Sequence, residues 1–335
     1  MKDTSLKQNI LTFLGAMLCC LLWGSAFPCI KIGYSLWSID TGDTWSIVEF
    51  AGLRFLLAGL LVIIFGGIIS RKILLPKVRE IGPILFLSLF QTIGQYVFFY
   101  LGLANTSGVN SAVVDSLTTF FAILMASLIF RMEKLTLRKI LGCIIGFAGV
   151  TLINLSGQGF HINLLGDGLV ALSALCYGVS SCLIKRYSDE HDTVTFSGYQ
   201  FMFGGIVMIV ISLVARATYN GTHDGSSLGQ NMLIRDGIFV ESGIDSVGKA
   251  LLMLLYLAII SSVAYTLWGI LLRNNDVSKI SIFGFMNPVF GVLLSAILLG
   301  EYGQMGWRYV ISLILVSIGI IVVNKKCQPE RIEGS

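Results

Sequence analysis

Apolar residues run through this chain in long unbroken blocks separated by short polar stretches. A helix that crosses a bilayer takes about 20 mainly apolar residues. Ten stretches meet that length: Ile10–Tyr34, Ser46–Ile69, Ile81–Leu103, Gly108–Phe130, Leu137–Leu155, Leu164–Ile184, Val194–Arg216, Ala250–Leu272, Val277–Gly300 and Met305–Asn324. The blocks are continuous rather than alternating, which excludes a membrane β-barrel. The pattern therefore predicts an all-α integral membrane protein with ten transmembrane helices. One polar insertion, at about 217–248, breaks the rhythm and reads as a flexible loop outside the cytoplasm.

Composition agrees. Of 335 residues, 55% are hydrophobic and 13% charged, with a mean hydropathy of +0.83. Soluble domains carry about 25% charged residues, so most of this surface must face lipid. Lys2 and Lys7 precede the first apolar run, which is too long for a signal-peptide core and reads as a first span. The net charge of +4 gathers into no nucleic-acid patch. Of the seven cysteines, all but Cys327 lie in apolar runs and none forms a CxxC pair, so they read as packing residues.

Charge placement orients the spans. With ten helices both termini share one side. That side then holds Lys2, Lys7, Arg71, Lys72, Lys77, Arg79, Arg131, Lys134, Arg138, Lys139, Lys185, Arg186, Arg273, Lys279, Lys325, Lys326 and Arg331. The other side holds only Arg216, Arg235 and Lys249. The positive-inside rule puts both termini in the cytoplasm of a plasma or inner membrane.

The halves repeat. Phe50-x-Gly52-x-x-Phe55-x-x-x-Gly59 matches Phe196-x-Gly198-x-x-Phe201-x-x-x-Gly205. Gly24 with Lys31 matches Gly178 with Lys185, Glu133 matches Glu301, and Gly149 through Asn154 matches Gly319 through Asn324. The matches fall in order, which predicts two five-helix domains, 1–158 and 159–335. Five is odd, so the second copy enters the membrane inverted. Inverted repeats around a central cavity are the architecture of alternating-access carriers.

Several of these residues also carry a family resemblance. Trp23-Gly-Ser-Ala-Phe with Lys31, Gly52-Leu-Arg54 through Gly59, Gly102-Leu-Ala, Glu133-Lys-Leu-Thr, Gly142 with Gly146 and Gly149, Asn287-Pro288 and Gly300-Glu301 stand in order along nearly the whole chain. In this the sequence resembles the EamA-like branch of the drug/metabolite transporter superfamily. The resemblance implies ten helices, a central cavity, and amino acids, sugars or other small polar metabolites as substrates. The chain departs from the pattern with Thr119-Phe120 where its second half has Asn287-Pro288, and with the long insertion.

Two charges inside spans draw attention, because a buried charge in a bilayer is costly and marks function. Arg54 and Asp115 each lie eight residues into an inward-running helix, about 12 Å deep. Either they pair, tying the second and fourth helices, or each faces the cavity, with Asp115 binding an amine or carrying a proton. The second half has Gln200 and Phe283 at their places. Trp23, Gln91, Gln95, Tyr96, Tyr177, Tyr199, Gln200, Tyr265, Trp268 and Asn287 complete the candidate substrate-binding set: amides that need buried partners, amid aromatic walls. Gly142-x-x-x-Gly146 is either a dimer face or packing within a monomer. Pro288 is either a hinge or a kink.

No catalytic residue, metal site or cofactor is expected. His161, His191 and His223 stand in separate loops. The stretch Gly243-Ile-Asp-Ser-Val-Gly248-Lys249 spells GxxxxGK, but Ala250 follows where a phosphate loop needs Ser or Thr. The expected partners are the bilayer and a small molecule, with a proton or ion as a possible co-substrate. The leading expectation is a secondary transporter for an amino acid or related metabolite. A sugar, nucleoside or cationic cargo and, in another class, an intramembrane lipid-modifying enzyme are the alternatives.

Overall fold

A computed structural model describes residues 2–106, 108–154, 163–222, 244–300 and 306–325. Among them every regular element is helical. In chain order they are α1 (Lys2–Leu36), α2 (Thr44–Ser70), α3 (Val78–Leu103), α4 (Gly108–Asp115, then Leu117–Leu124 and Met125–Ile129), α5 (Leu137–Asn154), α6 (Leu164–Ser188), α7 (Thr193–Thr222), α8 (Ile244–Asn274), α9 (Val277–Leu299) and α10 (Trp307–Asn324). Nine of the described helices are long and apolar enough to cross a membrane. The tenth expected span, α5, is helical over Leu137–Asn154.

The helix ends follow local chemistry. Asp43 caps α2, accepting from the Trp45 and Ser46 backbone N–H groups at 3.1 Å. Asn163 caps α6 by accepting from Leu165 and Gly166. The Asp167 carboxylate reaches back to the Asn163 N–H at 2.8 Å and takes the Thr106 hydroxyl at 2.6 Å. These contacts satisfy donors that a helix start leaves open. Breaks in three helices are legible only in the structure: a π-helical turn at Leu89–Gly94 in α3, another at Met125–Ile129 in α4, and a 3-10 turn at Ile282–Phe285 in α9.

The tightest packing is between α2 and α7, and it runs backbone to backbone. A Cβ at Gly52 would stand 2.9 Å from the Gly205 carbonyl oxygen, and one at Gly59 would stand 2.5 Å from that of Gly198. The helices α5 and α10 meet the same way: a Cβ at Gly319 would lie 2.6 Å from the Gly142 oxygen, and one at Gly149 would lie 3.0 Å from the Ser312 oxygen. Between lipid-soaked helices there is no hydrophobic driving force, so close contact through small residues does that work. Gly24 of α1 rests on Phe290 and Gly291 of α9, while Gly178 of α6 rests on Phe121 and Ala122 of α4. The Gly142 contact with α10, and that of Gly146 with Phe285, lie within the monomer, so this motif packs the chain on itself.

Several charges at the helix ends are paired. Arg216 of α7 is buried and sits 2.9 Å from the Glu49 carboxylate of α2, with Ser46 also bonded to it and Asp43 at 3.9 Å. Glu49 is a third charge inside a span. At the opposite end, Glu133 accepts from the Ser278 N–H and hydroxyl at 3.0 and 2.9 Å and pairs with Lys139 at 3.3 Å, capping α9 from outside. Glu80 takes the Lys77 N–H at 2.7 Å and meets His191 Nδ1 at 3.1 Å.

Some expectations need correction. The insertion is shorter than expected, because α7 runs to Thr222 and α8 begins at Ile244; residues 223–243 lie outside the described set. The stretch Ile244 to Lys249 of the GxxxxGK motif is helical. Helix α9 continues unbroken from Met286 through Pro288 to Leu299, so its irregularity precedes the proline.

Two substitutions test this packing. Gly59→Val drives a side chain into the α7 backbone and is expected to destabilise by about 1–3 kcal/mol. Arg216→Ala leaves Glu49 buried without its cation and is expected to cost about 3–5 kcal/mol. Thermal unfolding of the detergent-purified protein measures both; a melting point unchanged by Gly59→Val would contradict the close crossing.

Candidate functional site

The two buried cores of the molecule meet at Trp23, which packs against both. An aromatic cluster grows from that junction. The Trp23 ring lies 4.9 Å from Tyr265 and 5.0 Å from Trp268, both of α8. Tyr265 lies 5.2 Å from Phe201 of α7, which stacks on Phe55 of α2 at 5.4 Å. Phe55 in turn meets Tyr96 of α3 at 4.5 Å. The ring is closed by a hydrogen bond between the Tyr96 and Tyr265 hydroxyls. Five helices, α1, α2, α3, α7 and α8, thus converge on one point.

Arg54 projects into this cluster. Its guanidinium carbon lies 4.5 Å above the Phe55 ring and 5.5 Å from that of Tyr96. The hydroxyls of Tyr34, Tyr96, Tyr100 and Tyr265 are its electrostatic neighbours. The residue is 5% exposed, yet among the described residues it forms no salt bridge, and its Nε has no hydrogen-bond partner. Stacking on aromatic faces stabilises a cation only by about 2 kcal/mol when desolvated, well short of what an ion pair returns. The second charge, Asp115, ends the first piece of α4, just before the break at Ser116. It lies within electrostatic reach of Tyr96 and Tyr177, and among the described residues it too forms no salt bridge. The structural ion pair between α2 and α4 is therefore not made. Tyr96 feels both charges instead, with the Arg54 guanidinium 5.5 Å from its ring.

Other candidates divide. Trp23, Tyr96, Tyr177, Tyr265 and Trp268 belong to the cluster or border it. The indole Nε1 atoms of Trp23 and Trp268 and the Gln95 Oε1 are buried without a partner. Gln91 is buried in the π-helical turn of α3. Asn287, on α9, carries a buried Oδ1 without a partner. Gln200 is fully buried and ties α7 to α3: its Oε1 accepts from Thr92 at 2.8 Å and its carbonyl from Ser88 at 2.8 Å. Tyr199 points its hydroxyl to the Leu74 carbonyl at 3.0 Å, away from the cluster. Phe55, Phe201 and Tyr34 were missed by sequence reasoning, whereas Tyr100 was read as part of a polar side of its helix. Phe55 and Phe201 did carry a signal, since they are the phenylalanines shared by the repeated motif.

Known proteins match this architecture. The model of the EamA-like transporter family fits the chain twice, over residues 10–155 and 164–325. The chain belongs to that family, and it is a multi-pass membrane protein. The curated relatives include the uncharacterized inner membrane transporter YedA of Escherichia coli K12, 25% identical over 97% of this chain and 95% of its own length. Another is the uncharacterized transporter YvbV of Bacillus subtilis strain 168, 22% identical over 93% and 90%. A third, named as a probable amino-acid metabolite efflux pump, comes from Salmonella typhimurium LT2 and is 25% identical over 85% and 86%. A solved crystal structure superposes with a TM-score of 0.69 at 18% identity, covering 93% of this chain and 96% of its own, which shows the shared fold.

The hydroxyl pair at the centre is testable. Tyr96→Phe strands the buried Tyr265 hydroxyl and is expected to cost about 1–3 kcal/mol. The double variant Tyr96→Phe/Tyr265→Phe is expected to recover part of that loss in thermal unfolding, and strict additivity would rule out their coupling.

Proposed function

We propose that this chain is a secondary transporter that carries an amino acid or closely related zwitterion across the plasma or inner membrane by alternating access. The observation that carries the reading is the pair of charges without salt bridges among the described residues, Arg54 and Asp115, both within electrostatic reach of Tyr96. Arg54 is buried and Asp115 half-buried, whereas the buried Glu49 and Arg216 pair with each other. A guanidinium suits a carboxylate, an aspartate suits an ammonium, and the rings suit an apolar side chain. The unpartnered indole N–H groups of Trp23 and Trp268 add hydrogen-bonding capacity at the same place. The printed name of the Salmonella relative supports the same substrate class.

Alternating access rests on the inverted-repeat reading. Reciprocal contacts support it: Gly52 meets Gly205 while Gly59 meets Gly198, and Gly52 and Gly59 correspond in the repeat to Gly198 and Gly205. The same exchange relates α1 on α9 to α6 on α4. An element and its counterpart contact each other in swapped order, as a two-fold axis requires. The positive-inside bias supports cytoplasmic termini.

Uptake into proteoliposomes tests the site. Arg54→Gln and Asp115→Asn are each expected to lower amino-acid flux about ten- to hundredfold, the value of a hydrogen bond to a charged group at about 1.5–3 kcal/mol. The two variants separate by substrate. An amine lacking the carboxylate should no longer distinguish Arg54→Gln from the parent, and a carboxylate lacking the amine should no longer distinguish Asp115→Asn. Full amino-acid flux through both well-folded variants would sink the proposal.

A further inference from the structure

A groove of about 420 Å³ lies against the last turns of α2, far from the aromatic cluster. Its walls are Ile63, Ile64, Ile68, Ile73 and Leu74, with Gly67 at its floor and Arg71 and Lys72 at its mouth. The apolar walls are open to the surroundings: Ile64 is 53% exposed, Ile68 65% and Ile73 87%.

The local chain is built to hold this shape. Arg71 ends α2 in the left-handed region, φ 52°, a conformation that helix ends usually give to glycine. Its N–H bonds back to the last carbonyls of the helix, and the chain then runs without regular structure from 71 to 77. The Leu74 carbonyl accepts from Tyr199 of α7 at 3.0 Å, which pins that segment beside the groove. An arginine kept at a position that disfavours side chains invites a reason beyond the turn itself.

Charge supplies the reason. Arg71, Lys72, Lys77 and Arg79 crowd into nine residues, all exposed, with no acid before Glu80. Glu80 is committed to His191 and to the Lys77 backbone. Among the described residues none of the four cations makes a salt bridge. On the orientation proposed above, this cluster lies at the cytoplasmic membrane surface, where anionic lipids attract such cations by about 1 kcal/mol each, or roughly fivefold in affinity.

We propose that this groove is a specific site for an anionic phospholipid. Its phosphate is held by Arg71 and Lys72, and one acyl chain lies along Ile64, Ile68 and Ile73. Apolar walls and cationic mouth match the two ends of one such molecule. Because Tyr199 ties the segment to α7, an occupied groove bears on the α2–α7 pair on which the fold depends.

Native mass spectrometry of the full-length protein, mixed with phosphatidylglycerol or phosphatidylcholine, tests this. The parent is expected to retain phosphatidylglycerol preferentially, and Arg71→Gln/Lys72→Gln to lower that preference roughly fivefold per charge removed. Lys72→Gln alone keeps Arg71 in its left-handed position and the Lys72 backbone bond to Gly67, and serves if the double variant fails to fold. Ile68→Ser/Ile73→Ser is expected to weaken retention of both lipids with all cations in place. Arg186→Gln removes an exposed cation at the end of α6 and should change nothing. Undiminished preference in the cation variants, an equal loss in Arg186→Gln, or thermal stabilisation by inorganic phosphate equal to that by phosphatidylglycerol would each overturn the proposal.

Discussion

The backbone contact between α2 and α7 is the constraint on which the rest of the molecule depends. Four glycines let two long helices approach until carbonyls of one touch the backbone of the other. Apolar side chains alone would not hold them so close, since lipid tails offer side chains as much as a neighbouring helix does, and the Arg216–Glu49 pair ties the same two helices. The contact also has a consequence at its centre. Arg54 and Phe55 lie between Gly52 and Gly59, and Phe201 lies between Gly198 and Gly205. Locking the glycines together presents Arg54, Phe55 and Phe201 to the middle of the bundle, against Tyr96 and Tyr265.

Several polar groups elsewhere are answered by a neighbouring helix, as a membrane interior favours. Gln200, Thr92 and Ser88 bond α7 to α3 beside the π-helical turn. Charges gather at the helix ends, where they cap neighbours or pair: Glu49 with Arg216 at one end, Glu133 with Ser278 and Lys139 at the other. Against this background Arg54 and Asp115 stand apart. They are deep in spans, close to the same tyrosine, and without ion partners among the described residues. A buried charge held only by rings is poorly compensated, and a zwitterionic substrate would compensate both at once. That physical asymmetry, more than membership of the EamA-like transporter family, narrows the cargo.

Much of the fold was legible in the residues. Long apolar runs dictate helices because lipid forces every backbone N–H and C=O to bond within its own segment, and the ten expected spans differ from the observed helices mainly at their ends. Repeated glycines at fixed spacing foretold close crossings, although not which helices would cross. The π and 3-10 turns in α3, α4 and α9 left no mark in hydropathy, because such turns change the hydrogen-bond register without changing which residues are apolar. Glu49 escaped notice because its partner, Arg216, is 167 residues away and counted as a loop charge.

The sequence by itself determined that this is an all-α membrane protein, since span length is a property of one dimension, and it supplied the repeat on which the proposed inversion rests. Only the tertiary structure decided which polar residues act together. It left Arg54 and Asp115 without a salt bridge to each other, set Arg54 over the Phe55 and Tyr96 rings, assigned Gln200 to a helix contact, and turned Tyr199 away toward Leu74. Those outcomes depend on how each helix is rotated about its axis, and that rotation is set by glycine contacts between segments far apart in the chain.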